Sequence, residues 1–287
     1  MRVDVDSQLH VAVPVRREPQ LDRNVVEALY EMMVDEITQP QYDEREIALF
    51  KDPIYYYGRY LDRKTRRYAV QNLVSSISTA IAYLNVGETS CTRLVDLGCG
   101  LGMQSIIFAS LGAEVLGIDL DSRCVELCRK RKMYFEARLG KVLNMDFMAL
   151  DFRTLNPDVI NRKYDALFSM SAFAHIQPLK VTVANISALL HDTARVFLWD
   201  QNPDCLFPRV LGKRQGGVPR PTDITIEFAK HGFSTELLQG ACAIPHHFWH
   251  PDAVFGATSW LNGILKKNLQ LSFSYIFGAS RKERRGP

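Results

Sequence analysis

No apolar run in the 287-residue chain approaches the roughly 18 residues that a bilayer-spanning helix needs, so no membrane association is expected. The first ten residues, MRVDVDSQLH, also lack the basic start and apolar core of a signal peptide. Cysteine is sparse: the six stand at 91, 99, 124, 128, 205 and 242, with no C-x-x-C pair and no dense framework. That usage points to reduced thiols and a cytoplasmic setting, and Cys124 and Cys128 read as helix packing, not metal ligands. Charge of one sign is scarce as well. The 35 Lys and Arg against 32 Asp and Glu leave a net charge of +3, too balanced to announce a nucleic-acid surface. The dense basic runs, RKTRR at 63–67, CRKRK at 128–132 and RKERR at 281–285, read as solvated helix faces and a tail. Two phosphate-binding signatures, G-x-x-x-x-G-K-[ST] and G-x-G-x-x-G, are missing too.

What is present is concentrated in RLVDLGCGLGMQSIIFASLGAEVLGIDLD, residues 93–121. It spells strand, glycine loop, helix, strand and acidic terminus within about thirty residues, the order of a nucleotide-binding unit. Leu94 to Leu97 is a short apolar run of the kind buried on both faces of a parallel sheet. Gly98, Gly100 and Gly102 then turn the chain into a helix expected over Met103 to Leu111, whose first N–H groups have no partner within the helix. A second strand, Glu114 to Ile118, ends at Asp119, where such a fold places the acid that holds ribose hydroxyls. The spacing of the glycines decides the ligand class. A dinucleotide loop needs its third glycine at 103, where this chain has Met, and Asp96 sits where a phosphate would be repelled and a cationic amino group welcomed. The expected ligand has a ribose, a positive charge and no phosphate.

These residues resemble the class I S-adenosylmethionine-dependent methyltransferases of small-molecule type, whose first motif runs hydrophobic-D-x-G-x-G-x-G. The resemblance covers residues 91–200 well and the C-terminal part in pattern. It implies S-adenosyl-L-methionine as cofactor. Asp96, Gly98, Cys99, Gly100 and Gly102 would surround its methionine part, and Asp119 with Leu120 its ribose. Asp146 and Phe147, in KVLNMDF, would grip adenine, and Ser169 would open the loop through His175 that faces methionine and substrate. The implied fold is α/β, a Rossmann-like doubly wound seven-stranded sheet, mostly parallel with an antiparallel last strand, plus an N-terminal helical cap.

Elsewhere the pattern is coarser. Amphipathic helices are expected over Leu21 to Ile37 and Arg66 to Tyr83, within an arm and cap spanning 1–88. The catalytic domain would span 89–287, with a lid or substrate insertion around 201–221 where FPRVLGKRQGGVPRP is rich in Gly, Pro and basic residues. A helix is expected over Thr222 to His231, capped by Thr or Asp. Strands are expected in GFSTELLQGA and LQLSFSYIFGAS, the last one antiparallel. A homodimer through the N-terminal helices is the self-association such helices would support.

Methyl transfer from a sulfonium asks a protein mainly to align the acceptor and exclude water; an alcohol or phenol acceptor adds the need for a base. His175 is the first candidate, and His246 and His247 in PHHFWHPD are the next. Those two with His250 and Asp252 do not form a convincing metal set, and no metal is expected. In DPIYYYGRY, one of Tyr55, Tyr56, Tyr57 and Tyr60 is expected to face the sulfonium with its ring, Tyr57 being the one selected. The expected function is methyl transfer to an O, N or C atom of a small molecule, natural products included. The alternatives are an RNA or protein methyltransferase, an NAD-dependent oxidoreductase, and a non-catalytic cofactor-binding protein.

Overall fold

Strand side chains alternate between two faces, and in this chain both faces are apolar. In the computed structural model, which describes residues 20–37, 39, 41–52, 66–87, 92–155, 159–160, 162–206, 217–244 and 252–281, that alternation feeds two cores on opposite sides of one sheet. Leu94, Ala166, Phe168, Phe197 and Trp199 enter one core. Val95, Leu97, Leu167, Val196 and Leu198 enter the other.

Along the chain the described elements are α1 (Gln20–Glu36), α2 (Glu44–Lys51), α3 (Arg66–Leu84), β1 (Arg93–Leu97), α4 (Met103–Ser110), β2 (Glu114–Asp119), α5 (Ser122–Leu139) and β3 (Met145–Ala149). They continue with β4 (Tyr164–Met170), α6 (Leu179–Leu189), β5 (Leu190–Gln201), α7 (Pro221–Lys230), β6 (Phe233–Cys242), α8 (Asp252–Leu265) and β7 (Ser274–Arg281). The seven strands lie in the order β3-β2-β1-β4-β5-β7-β6. β1 to β5 run parallel, and β7 is antiparallel to both β5 and β6. This is the mixed, doubly wound sheet expected from the sequence. None of the described helices is long and apolar enough to cross a membrane.

The first core takes α1, α3, α4 and α5; Val26, Leu29 and Met33 of α1 and Leu73 and Ile77 of α3 pack in the same cluster as Leu94 and Phe168. The second takes α6 and α7 through Ile186, Ile224 and Phe228. Phe168 and Phe197 stack at 5.9 Å between adjacent strands, and Phe108 of α4 meets Phe168 edge-on at 5.0 Å.

Two local expectations shift, and one helix is added. Helix α7 begins at Pro221 after Arg220, whose N–H is taken by Asp223 three residues on, so Thr222 is not the cap. In LQLSFSYIFGAS, Leu269–Leu271 form a 3-10 turn, and the strand starts only at Ser274. Helix α2 was not anticipated, although Asp43 and Glu46 form a reciprocal capping box at its start.

From β1 the chain winds outward to β2 and β3, then returns to the other side of β1 to place β4 and β5. The carboxyl ends of β1 and β4 therefore flank a switch point, where neighbouring loops diverge and leave a crevice.

Candidate functional site

The loop after β1 has a shape that glycine alone accepts at two places. Gly98 sits at φ +73°, and a Cβ there would lie 2.2 Å from the Ala172 Cβ in the loop after β4. Gly102, also at φ +73°, would place a Cβ 2.9 Å from the Cys128 Sγ. Positive φ and close approach both exclude a side chain. Gly102 also begins α4 with no side-chain cap, so the helix presents its unpaired N–H groups at the loop. The N–H groups of Gly98 and Cys99 donate to the Ile118 carbonyl (2.8 and 3.0 Å), tying the loop to the end of β2. Asp119 extends that tie: one carboxylate oxygen accepts the Gly100 N–H at 2.8 Å and the other the Asp121 N–H at 3.0 Å. Each oxygen keeps a second lone pair for an outside donor.

A cavity of about 710 Å³ opens above this loop at the switch point, a size suited to a small ligand. Gly98, Cys99, Gly100 and Leu101 form its floor, and Asp119 and Leu120 one wall. Leu150, Asp151 and Phe152 continue that wall, while Met170, Ser171, Ala172 and His175 form the opposite one. Ser171 adopts φ +55°, sparsely populated for a non-glycine residue, and its N–H donates to the Trp199 carbonyl at 2.7 Å. Gln104, from the first turn of α4, adds a buried amide beside Met170 (3.5 Å to its sulfur).

Of the residues singled out from the sequence, Gly98, Cys99, Gly100, Asp119, Leu120 and His175 line the cavity. Asp96, Gly102, Phe147 and Ser169 stand behind it. The Ser169 hydroxyl donates to the Leu97 carbonyl at 2.8 Å, joining β4 to β1 beneath the floor. Asp96 faces α4, where the Ser105 hydroxyl donates to it at 2.6 Å; burial pushes its carboxyl up to about 7. Tyr57, His246 and His247, with Tyr55, Tyr56, Tyr60 and His250, fall outside the described residues, as does 207–216 of the expected lid.

The adenine pair needs correction. Asp146 is exposed near the start of β3, an edge strand, and away from the cavity. Phe147 is buried beneath the glycine loop, where a Cβ on Gly117 would come 2.5 Å from its ring. The acid and aromatic that reach the cavity are Asp151 and Phe152, just past the carboxyl end of β3. KVLNMDFMALDF holds two Asp-Phe pairs five residues apart, and the rule that ligands sit beyond strand carboxyl ends selects the second.

Two Asp-x-Arg clamps border the same wall. Arg123 grips Asp121 through Nε and Nη2 (3.0 and 2.6 Å), and Arg153 grips Asp151 in the same way (2.9 and 2.6 Å). The Arg153 hydrogen bonds hold the Asp151 carboxyl below its ordinary range.

His175 closes a 3-10 turn, Phe173–His175, directly after β4, with its side chain exposed. The turn is anchored by Asp200 at the end of β5, which accepts the Ala174 N–H at 2.7 Å and its neighbour Gln201's N–H at 2.8 Å. Burial pushes Asp200 up to about 6 against those bonds and the opposing pull of His175. Asp200 was not singled out from the sequence. Nothing local marks it, since its role comes from β5 lying next to β4.

Residues 94–193 match a family model described as a methyltransferase domain. The ubiquinone biosynthesis O-methyltransferase of Leptothrix cholodnii is 28% identical over 156 residues, 54% of this chain and 63% of that one. Its counterpart in Pelagibacter ubique is 26% identical over 108 residues, 37% of this chain and 40% of that one. The chain thus spans less than two thirds of the length of these relatives. Magnesium protoporphyrin IX methyltransferase from Synechocystis PCC 6803, solved with bound SAH, shares the fold with a TM-score of 0.54 at 18% identity, covering 91% of this chain and 100% of that one. A methyltransferase from Mesorhizobium loti does so with a TM-score of 0.51 at 16% identity, over 73% and 98%. The G-x-G-x-G loop, the acid closing β2 and the strand order agree with the methyltransferase domain matched over residues 94–193.

Proposed function

We propose that this chain binds S-adenosyl-L-methionine across the cavity and transfers its methyl group to an oxygen of a small hydroxylated molecule. The observation that carries the proposal is the arrangement around one crevice: an uncapped helix start, a two-bonded acid at Asp119, and an imidazole on the facing wall. The residues fit the cofactor. Asp119 would accept the ribose hydroxyls, Leu120 and Phe152 would cover adenine with Asp151 at its edge, and the loop 98–101 would hold the methionine part. When bound, the cofactor would supply a methyl group on a sulfonium, whose sulfur leaves as a neutral thioether as the methyl passes to the acceptor oxygen. The chain's own work is then to orient the acceptor, exclude water, and take a proton at His175.

Oxygen is favoured over nitrogen or carbon by the base on the facing wall and by the relatives named as O-methyltransferases. A small acceptor is favoured over RNA because the central basic run spends its donors on partners within the fold. Arg129 donates to the Phe147 carbonyl, Lys130 to Glu46, Arg131 to Glu36, and Lys132 to the Met145 carbonyl. Self-association through the N-terminal helices is a separate proposal, read by light scattering as twice the chain mass.

Titration with S-adenosylhomocysteine and with NAD separates the leading reading from the oxidoreductase one; binding of NAD alone would reverse them. Binding of S-adenosylhomocysteine without turnover on a panel of phenols and other alcohols would favour a non-catalytic binder. With an accepted phenol, His175→Ala should slow turnover by roughly 10²-fold. An unchanged rate would remove the base from the proposal.

A further inference from the structure

The run Cys128–Lys132 looked like a solvated basic face in the sequence, yet its arginine at 131 is fully buried. Arg131 Nε and Nη2 donate to the two carboxylate oxygens of Glu36, the last residue of α1, at 2.8 and 2.7 Å. Its Nη1 donates to the carbonyl of Leu101, between the second and third loop glycines. Glu36 is itself fully buried and accepts the Tyr42 hydroxyl at 2.5 Å. The guanidinium also lies over the Phe50 ring of α2, 5.4 Å from its centre. One turn earlier on α5, the Cys128 thiol contacts the preceding loop carbonyl, Gly100, at 3.2 Å.

Two consecutive loop carbonyls are thus held toward α5. A trans peptide points its N–H opposite to its C=O, so holding the Gly100 carbonyl turns the Leu101 N–H away from α5. Leu101 also lines the cavity. The positive charge that holds the Leu101 carbonyl is in turn paired with the carboxylate of Glu36 on α1. A buried guanidinium that loses its carboxylate is strongly disfavoured, so the two contacts stand or fall together.

We infer that Arg131 is a positioning residue that couples docking of α1 and α2 to the shape of the cofactor loop, so that cofactor affinity depends on helices that do not line the cavity. The inference rests on the cofactor reading of that loop. Lys130 adds a second tie, donating to both oxygens of Glu46 in α2 at 2.9 and 2.7 Å.

The test uses the full chain and S-adenosylhomocysteine. Replacing the pair and its hydroxyl partner together, Glu36→Leu with Tyr42→Phe and Arg131→Met, removes the loop contact without leaving the Glu36 or Arg131 charge behind, a change that buried ion pairs often tolerate. This variant should keep a cooperative thermal transition yet bind S-adenosylhomocysteine about tenfold more weakly or worse. In the wild type, the same ligand should slow amide hydrogen exchange in α1 and α2. A folded triple variant with wild-type affinity, or exchange in those helices indifferent to ligand, would overturn the coupling. If the variant does not fold, the exchange measurement decides. Failure of the wild type to bind the ligand would instead remove the cofactor reading.

Discussion

Asp119 and Gly100 form one unit: the acid closing β2 accepts the N–H of the middle loop glycine at 2.8 Å. The side chain that would take the ribose therefore also shapes the loop beside it. Asp119→Ala should weaken S-adenosylhomocysteine binding by about 1–3 kcal/mol, the range for losing hydrogen bonds to a charged group. Titration calorimetry reads this directly, and an unchanged affinity would take Asp119 out of the ribose role.

The two Asp-Phe pairs make opposite predictions. Asp151 lines the cavity and Asp146 does not. Asp151→Ala should weaken nucleoside binding, whereas Asp146→Ala should stay within about 0.5 kcal/mol of wild type in both affinity and stability, as exposed substitutions do. Equal losses from both would return adenine to the start of β3. An Arg153→Ala control separates loss of the carboxylate from release of its clamp.

At Gly98, substitution faces both a positive φ and the Ala172 methyl group. Gly98→Ala should cost about 1–3 kcal/mol of stability, the range for overpacking and backbone strain, and should abolish tight cofactor binding. Adding Ala172→Gly removes the collision but leaves the strain, so part of the thermal midpoint should return. No recovery at all would mean that contact between the two loops is not what demands the glycine.

Asp96 and Asp200 are both pushed up by burial, to about 7 and about 6. A carboxyl with a raised native pKa binds its proton more tightly when folded than when unfolded. Its stabilising contribution is complete below about pH 4 and is lost as pH rises through about 6 for Asp200 and 7 for Asp96, at no more than about 1.4 kcal/mol per pH unit for each group. Asp96→Asn keeps an acceptor for the Ser105 hydroxyl and removes the titration. Urea unfolding between pH 5 and 8 should show a flatter profile for this variant, and a slope equal to wild type would exonerate Asp96.

The elements around the glycine loop were legible because their signals are local. Gly98, Gly100, Gly102 and Asp119 are separated by one strand and one helix, and their spacing alone carries the pattern. β1, α4 and β2 fall within a residue or two of their expected limits. Helix α8 gave no comparable signal: Gly256, Gly263, Thr258 and Ser259 weaken its propensity. Asp146 was singled out from the sequence and Asp151 was not; both follow apolar residues, and only the strand's true carboxyl end distinguishes them.

Residue order by itself determined the fold class, the loop and the kind of ligand, since alternation, glycine spacing and a terminal acid act over short stretches of chain. Tertiary structure alone decided which side chains face the cavity, that Asp200 anchors the turn bearing His175, and that Arg131 turns inward to meet Glu36. Those relationships join residues 26 and 95 positions apart, and their energies come from burial and removal from water, which exist only once the sheet and helices have closed over them.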